Sequence, residues 1–186
     1  MILVIDTSSP VQSVVGTIDG ADVRQFTSPR LDRELLQDLV RSGPVTKVAV
    51  ATGPGSFTGL RVGVSFGLGL AIGLRIPIVP LPTLDLQAAR SSDPVTAVVE
   101  AGRGRYYFRV PGGAARLGAP ADIPASHDLV GSVADPAALL AAGHHLKPES
   151  ELRPLVEAAG ILLETAREVP YRSLEIEYMQ SFSPSR

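Results

Sequence analysis

The residues of this chain that could do chemistry stand where apolar runs end. Ala51-Thr52-Gly53-Pro54-Gly55-Ser56-Phe57-Thr58-Gly59-Leu60-Arg61 joins a β-like run, 45–50, to a glycine-laced apolar segment that predicts a helix over 60–74. A strand, a glycine-rich turn and a helix N-terminus in that order is how α/β proteins approach a phosphate, because free backbone N–H groups point outward there and the helix dipole favours an anion. A loop that grips phosphate through G-x-x-x-x-G-K-[ST] also needs a lysine for the outer phosphates. Here the nearest cation is Arg61, beyond the loop and inside the helix. Gly53, Gly55 and Gly59 are therefore expected to permit a tight turn and close packing, with Ser56 or Thr58 as N-cap.

Asp6 closes the first apolar run, 2–6. A two-metal phosphoryl-transfer site needs several convergent acids, and the run 45–51 ends without one. Asp6 is thus expected to be a hydrogen-bonded turn residue. The chain has three histidines, His127, His144 and His145, none four residues from another. An i, i+4 imidazole pair closing on one ion from one helix face is excluded, and each histidine is expected at the surface or in a loop. Ser8, Ser9 and Ser56 sit in no recognisable nucleophile motif, and without cysteine there is no thiolate nucleophile and no Cys-ligated metal. No catalytic residue, metal ligand or cofactor site is expected. In Arg103-Gly104-Arg105-Tyr106-Tyr107-Phe108-Arg109, period-two alternation puts Arg103, Arg105, Tyr107 and Arg109 on one strand face. That face is either a solvated outer surface or a grip for nucleic-acid phosphate and a stacked base.

These residues need elements to position them. Residues 2–6, 11–18 and 22–26 read as three strands, the last two turning at Asp19-Gly20. Leu31, Leu35, Leu36, Leu39 and Val40 recur at helical spacing. A strand 45–50, the helix 60–74, a strand 76–79 and a helix capped by Thr83 follow. The order βββαβαβα is that of a ribonuclease-H-like lobe, the building block of actin and Hsp70 folds. Ser91-Ser92-Asp93-Pro94 marks a break, after which 95–101 and 105–110 read as a hairpin, 136–142 as a short helix and 152–169 as a long one. The expected architecture is α/β and two-lobed, actin-like, with lobes 1–92 and 93–186 and a shortened second lobe.

The helix 60–74 carries only Arg61 and Ser65 as polar residues, so it is apolar almost all round and needs two surfaces to cover it. Gly63, Gly67, Gly69 and Gly73 each cost about 1 kcal/mol against alanine in a helix interior. Gly59, Gly63 and Gly67, at i, i+4 and i+8, form a smooth groove beside a ridge of Val62, Phe66 and Leu70. The groove faces either the lobe's own sheet or another molecule; in the second case Leu31, Leu35 and Leu39 of the preceding helix complete a four-helix contact.

Ile5-Asp6-Thr7-Ser8, Thr52 through Arg61 of the glycine segment, and Pro82-Thr83-Leu84 together resemble the TsaB (YeaZ) family, closely over the first lobe and loosely beyond it. The resemblance implies a non-catalytic partner of TsaD, acting with the ATPase TsaE, in making the threonylcarbamoyl group on the adenosine next to the tRNA anticodon. It further implies a homodimer when alone, exchanged for a heterodimer with TsaD through first-lobe helices, and tRNA met only through the complex. Asp32 stands where family members commonly carry histidine, and Glu100-Ala101-Gly102 before Arg103 replaces their Asp-Ala-Arg turn, so no role is carried to those positions. The alternatives are a small carbamoyl- or phosphoryl-transfer enzyme of the actin-like superfamily and a peptidase-like protein acting on its partner.

Bulk properties agree with a compact protein that binds others. In 186 residues, 45% are hydrophobic and 19% charged, leaving few polar groups for the surface. A net charge of −2 argues against holding nucleic acid by bulk electrostatics. The opening Met1-Ile2-Leu3-Val4-Ile5-Asp6 reads as a strand and not a signal peptide, and the stretch 62–74 is expected to be too short to span a bilayer. A cytoplasmic location, with no membrane partner, is expected.

Overall fold

A computed structural model describes residues 1–177; the stretch 178–186, counted in the expected second lobe, lies outside them. β1 (Ile2–Asp6), β2 (Ser13–Asp19) and β3 (Asp22–Ser28) form an antiparallel meander. Gly20, at φ 60°, makes the left-handed step of the β2–β3 turn. β4 (Lys47–Gly53) and β5 (Ile78–Pro82) add in parallel on the other side of β1, giving the order β3-β2-β1-β4-β5. β1 and β4 are buried on both faces, which is why they read as unbroken apolar runs.

Strand alternation sends Leu3, Ile5, Val15, Val48 and Val50 to one face, where α1 (Arg33–Arg41) and α2 (Phe57–Leu74) cover them with Leu36, Leu39, Val64 and Ala71. Val4, Val14, Ala49, Ala51, Val79 and Leu81 face the other way, onto Leu86 of α3 (Thr83–Ala88) and onto Leu155, Val156, Ala158 and Ala159. The last four belong to α5 (Leu155–Leu163), so a late segment of the chain closes the core of the first sheet. The long helix expected over 152–169 is corrected on this point. Pro154 stands at its N-cap, the helix ends after Leu163, and the chain runs on to an antiparallel bridge between Val169 and Ile78 at the edge of β5. Beyond it, Tyr171 donates its hydroxyl to the Ile76 carbonyl at 2.9 Å, and Leu174 and Ile176 pack beside α2 on the first core.

A second sheet holds β6 (Thr96–Gly102), β7 (Arg105–Arg109), β8 (Arg116–Gly118) and β9 (Leu129–Ser132) in the order β8-β7-β6-β9. Its first three strands are antiparallel, and β9 adds in parallel beside β6. This repeats the first sheet up to its fourth strand, the ribonuclease-H-like pattern met twice, with the second copy shortened. One face is packed by Leu139 of α4 (Ala137–Ala141) and the other by Leu84 of α3, which is thereby wedged between the two sheets.

Two helix starts differ from expectation. Asp32 is the N-cap of α1, accepting from the N–H groups of Glu34 at 2.9 Å and Leu35 at 3.2 Å. Thr83 is the first residue of α3 and caps nothing; its hydroxyl accepts from the Gly53 N–H at 3.1 Å, tying α3 to the end of β4.

The glycine face of α2 lies on the protein's own sheet. A Cβ at Gly59 would overlap the Thr7 carbonyl, one at Gly63 would overlap the Thr7 hydroxyl, and one at Gly67 would sit 3.3 Å from Val48. The smooth groove expected at Gly59, Gly63 and Gly67 is therefore filled by β1 and β4. Leu39 is likewise buried beneath α1. Leu31, Leu35, Phe66 and Leu70 are half-buried against the first core, and of the expected contact residues Val62 alone is well exposed. By length and composition α2 is long and apolar enough to cross a membrane, which corrects the expectation that the apolar stretch is too short; in the fold it is a surface helix laid on a sheet.

Close approach at Gly63 and open space at Gly69 predict opposite substitution effects. Gly63→Ala should lower stability by about 1–3 kcal/mol through overpacking, whereas Gly69→Ala should raise it by about 0.5–1 kcal/mol through helix propensity. Urea unfolding of the two variants beside the parent measures both; equal effects would place the α2 face wrongly.

Candidate functional site at the glycine loop and the cleft between the sheets

The glycine loop spends its donors on its own chain. The Ser56 N–H donates to the Ser8 carbonyl at 2.7 Å, the Gly59 N–H to the Ser56 hydroxyl at 3.2 Å, and the Leu60 N–H to the Ser56 carbonyl at 2.8 Å. From the facing strand end, the Thr7 hydroxyl donates to the Gly59 carbonyl at 2.7 Å. Ser56 is thus the N-cap of α2. A Cβ at Gly55 would collide with the Ser8 backbone, so these glycines let two pieces of one chain touch. An anion at this helix start would have to displace that packing.

Asp6 sits beside this junction, 4% exposed, with Oδ1 accepting from the Ser8 N–H at 2.8 Å. The Asx-type bond matches the turn role expected of it. Burial raises its carboxyl above the ordinary 3.8; the bonds to Ser8 and the charge of Arg90 pull the other way and do not cancel the rise. Asp6 lines a cleft of about 500 Å³ between the first sheet and the end of β9, with Ser9, Gln12, Gln25, Gln87, Arg90, Ser132, Lys147 and Glu149 among the other lining residues. The Ser132 hydroxyl donates to that of Ser9 at 2.7 Å, joining the two sheets across it. Arg90 is 6% exposed and pairs with Glu149; its Nε donates to the Arg153 carbonyl at 3.1 Å and Nη1 to Gln87 at 3.4 Å. Lys147 is held at 2.7 Å by Asp93, whose carboxyl is lowered chiefly by that bond. Neither Arg90 nor the cleft was legible in the sequence, since their members come from β1–β3, α3, β9 and the segment before α5.

The basic stripe is corrected. Arg105, Tyr107 and Arg109 alternate as expected, but Tyr107 lies opposite Val99 and Arg109 opposite Ala97, on the face turned to α3. Tyr107 is buried, and Arg109 is ion-paired with Asp85 of α3. Arg103 occupies the hairpin turn at φ 55°, and Arg103 and Arg105 remain exposed at the tip. A ring stacked on a base is therefore not available from Tyr107.

The histidines all lie in loops, as expected. His144 is buried, donating from Nε2 to the Pro120 carbonyl at 2.9 Å, whereas His145 is exposed and 3.1 Å from Asp128. All three histidines line one surface hollow of about 340 Å³. Among the described residues, no group of three or more His, Asp or Glu side chains is placed to hold a metal ion.

A different surface stands open on α2. Ser65, Gly69 and Gly73, at i, i+4 and i+8, are exposed, and the two glycines face open space. Val62 and Ile72, at 46% and 50% exposure, share that face. The helix does present a small-residue groove outward, one face round from where the spacing of Gly59, Gly63 and Gly67 put it.

A family model described as TsaD, tRNA N6-adenosine threonylcarbamoyltransferase, matches residues 29–160, which take in α1, the glycine loop, α2 and most of the second sheet's surroundings. The tRNA threonylcarbamoyladenosine biosynthesis protein TsaB of Haemophilus influenzae is 33% identical over 85 residues, 43% of this chain and 36% of that protein. TsaB of Escherichia coli strain K12 is 30% identical over 122 residues, 58% of this chain and 53% of that protein. The chain belongs to the TsaB (YeaZ) family. The solved structure of YeaZ from Pseudomonas aeruginosa superposes with a TM-score of 0.71 at 20% identity, covering 96% of this chain and 99% of that one, and shares its actin-like fold. The matched stretches span between about a third and a half of the length of the two TsaB relatives.

Asp6 generates a pH prediction. A carboxyl raised in the folded state holds its proton more tightly folded than unfolded, so stability is greatest below the unfolded value and falls as pH rises through the window up to the folded value. Asp6→Asn keeps the acceptor for Ser8 and removes that loss. The variant should be more stable than the parent at neutral pH, with the gap closing on acidification toward the ordinary carboxyl value of 3.8. Melting curves across that range check it; a gap that widens toward acid would reverse the sign.

Proposed function

We propose that this protein is a non-catalytic partner subunit in forming the threonylcarbamoyl group on tRNA adenosine, and that it docks a TsaD-type transferase on the outer face of α2. The observation that carries the reading is that face. A helix exposing Val62 and Ile72 around Ser65, Gly69 and Gly73 offers an apolar ridge and a groove into which a second helix can settle at close range. The inner glycines are used up by the sheet, so the outward ones have no packing role within the fold to offset their helix-propensity cost. The names of the TsaB relatives and the TsaD family match support the pathway. Support for a scaffold over an enzyme comes from the glycine loop, where the Ser56 N–H is engaged by Ser8 and those of Gly59 and Leu60 by Ser56.

On this reading the subunit shifts the transferase toward its active arrangement by binding that arrangement more tightly. Alone, the same apolar face pairs two copies of the chain, and a TsaE-type ATPase joins the heterodimer. Work on tRNA places the complex in the cytoplasm, and tRNA contact by this chain falls to the exposed Arg103 and Arg105.

Gly69→Leu and Ile72→Asp, both on the open face, should leave the fold intact by circular dichroism and weaken capture of the TsaD-type partner at least about tenfold. Cells supplied only with these variants should lose threonylcarbamoyl-adenosine from bulk tRNA by nucleoside analysis. Retained partner binding moves the interface off α2; retained nucleoside after depletion of the whole protein removes the pathway assignment. ATP turnover by the purified chain would favour the enzyme alternative.

A further inference from the structure

The cleft between the sheets holds one buried charge of each sign. Asp6, buried among its lining residues, accepts through Oδ1 from the Ser8 N–H at 2.8 Å. Arg90, on its wall, cannot leave: Gln87 and the Arg153 carbonyl hold it, and a buried guanidinium demands a counter-charge. That counter-charge is Glu149, whose side chain is 70% exposed at the rim. Its two oxygens meet Nη1 and Nη2, the side-on pairing of a guanidinium fork with a carboxylate. The carboxylate therefore reaches in from water and can return to water at small cost, leaving the fork to another. Glu149 marks where a carboxylate binds.

Asp6 supplies the complementary end. Burial penalises its charge, and a donor carrying positive charge would relieve that penalty. A carboxylate without an amine would meet Asp6 as a like charge, and an amine without a carboxylate would meet Arg90. A ligand bearing both adds no net charge of its own and pairs each buried group.

We propose that this cleft binds a small zwitterion of the amino-acid class, its carboxylate replacing Glu149 on Arg90 and its ammonium donating to Asp6 Oδ2. Gln12 and Ser9 on the same wall select among side chains by hydrogen bonding. The occupant enters by exchange, so Glu149 acts as a resident competitor that keeps affinity modest and Arg90 paired in the empty cleft.

The test is calorimetric titration of the full chain with the twenty common amino acids, with butyrate and butylamine as single-charge controls. At least one amino acid should bind about tenfold more tightly than either control. Glu149→Gln removes the competitor while leaving Arg90 an amide acceptor, and should tighten binding several-fold; a purely structural Glu149 predicts no gain. Asp6→Asn, which is isosteric and keeps the Ser8 bond, should weaken it about tenfold. Binding indifferent to both variants places the ligand elsewhere and overturns the proposal. So does the absence of binding to both the parent and Glu149→Gln at millimolar ligand. Should Glu149→Gln fail to fold by circular dichroism, the response of Asp6→Asn decides alone.

Discussion

The end of β1 touching the glycine loop is the contact on which the rest depends. Thr7 and Ser8 receive the start of α2 through the bonds Thr7 Oγ1 to the Gly59 carbonyl and Ser56 N–H to the Ser8 carbonyl. Each bond is modest alone, about 0.5–1.5 kcal/mol net. The constraint they share is steric: at Gly55, Gly59 and Gly63 a Cβ would enter space already held by Thr7 or Ser8. Only glycine lets the helix settle that low on the sheet.

Two surfaces follow from that depth. Drawing α2 down onto β1 and β4 turns the opposite side of the helix fully outward, so Ser65, Gly69 and Gly73 become an open groove edged by exposed Val62 and Ile72. The same junction fixes Asp6 beside Ser8, at the floor of the cleft shared with β9 and the segment before α5. One face thus suits a helix of another protein and the other a small polar molecule, and α3, wedged between the sheets, holds the two halves in register through Leu84 and Leu86.

Most of the first lobe was legible because its determinants are local. Apolar runs gave β1 and β4 as strands, and Asp19-Gly20 the turn between β2 and β3. The close packing at the glycine loop was legible, since Gly53, Gly55 and Gly59 permit a tight turn, and the lack of a lysine there is visible in one dimension. What misled was direction. Helical spacing groups Gly59, Gly63 and Gly67 on one face and Ser65, Gly69 and Gly73 on another, but periodicity does not say which face meets the sheet. Alternation likewise placed Arg105, Tyr107 and Arg109 together without showing that α3 lies over them.

By itself, then, the sequence determined the order of elements in the first lobe, the family fingerprint and the lack of a lysine-bearing phosphate loop, all of which depend on neighbours in the chain. Only the tertiary structure decided which glycines are buried and which are open, that α5 returns to close the first core, and that Asp6 and Arg90 share a cleft with Glu149. Those outcomes rest on contacts between residues far apart in sequence, whose relative placement is set by how two twisted sheets and the helices between them exclude water, not by any local propensity.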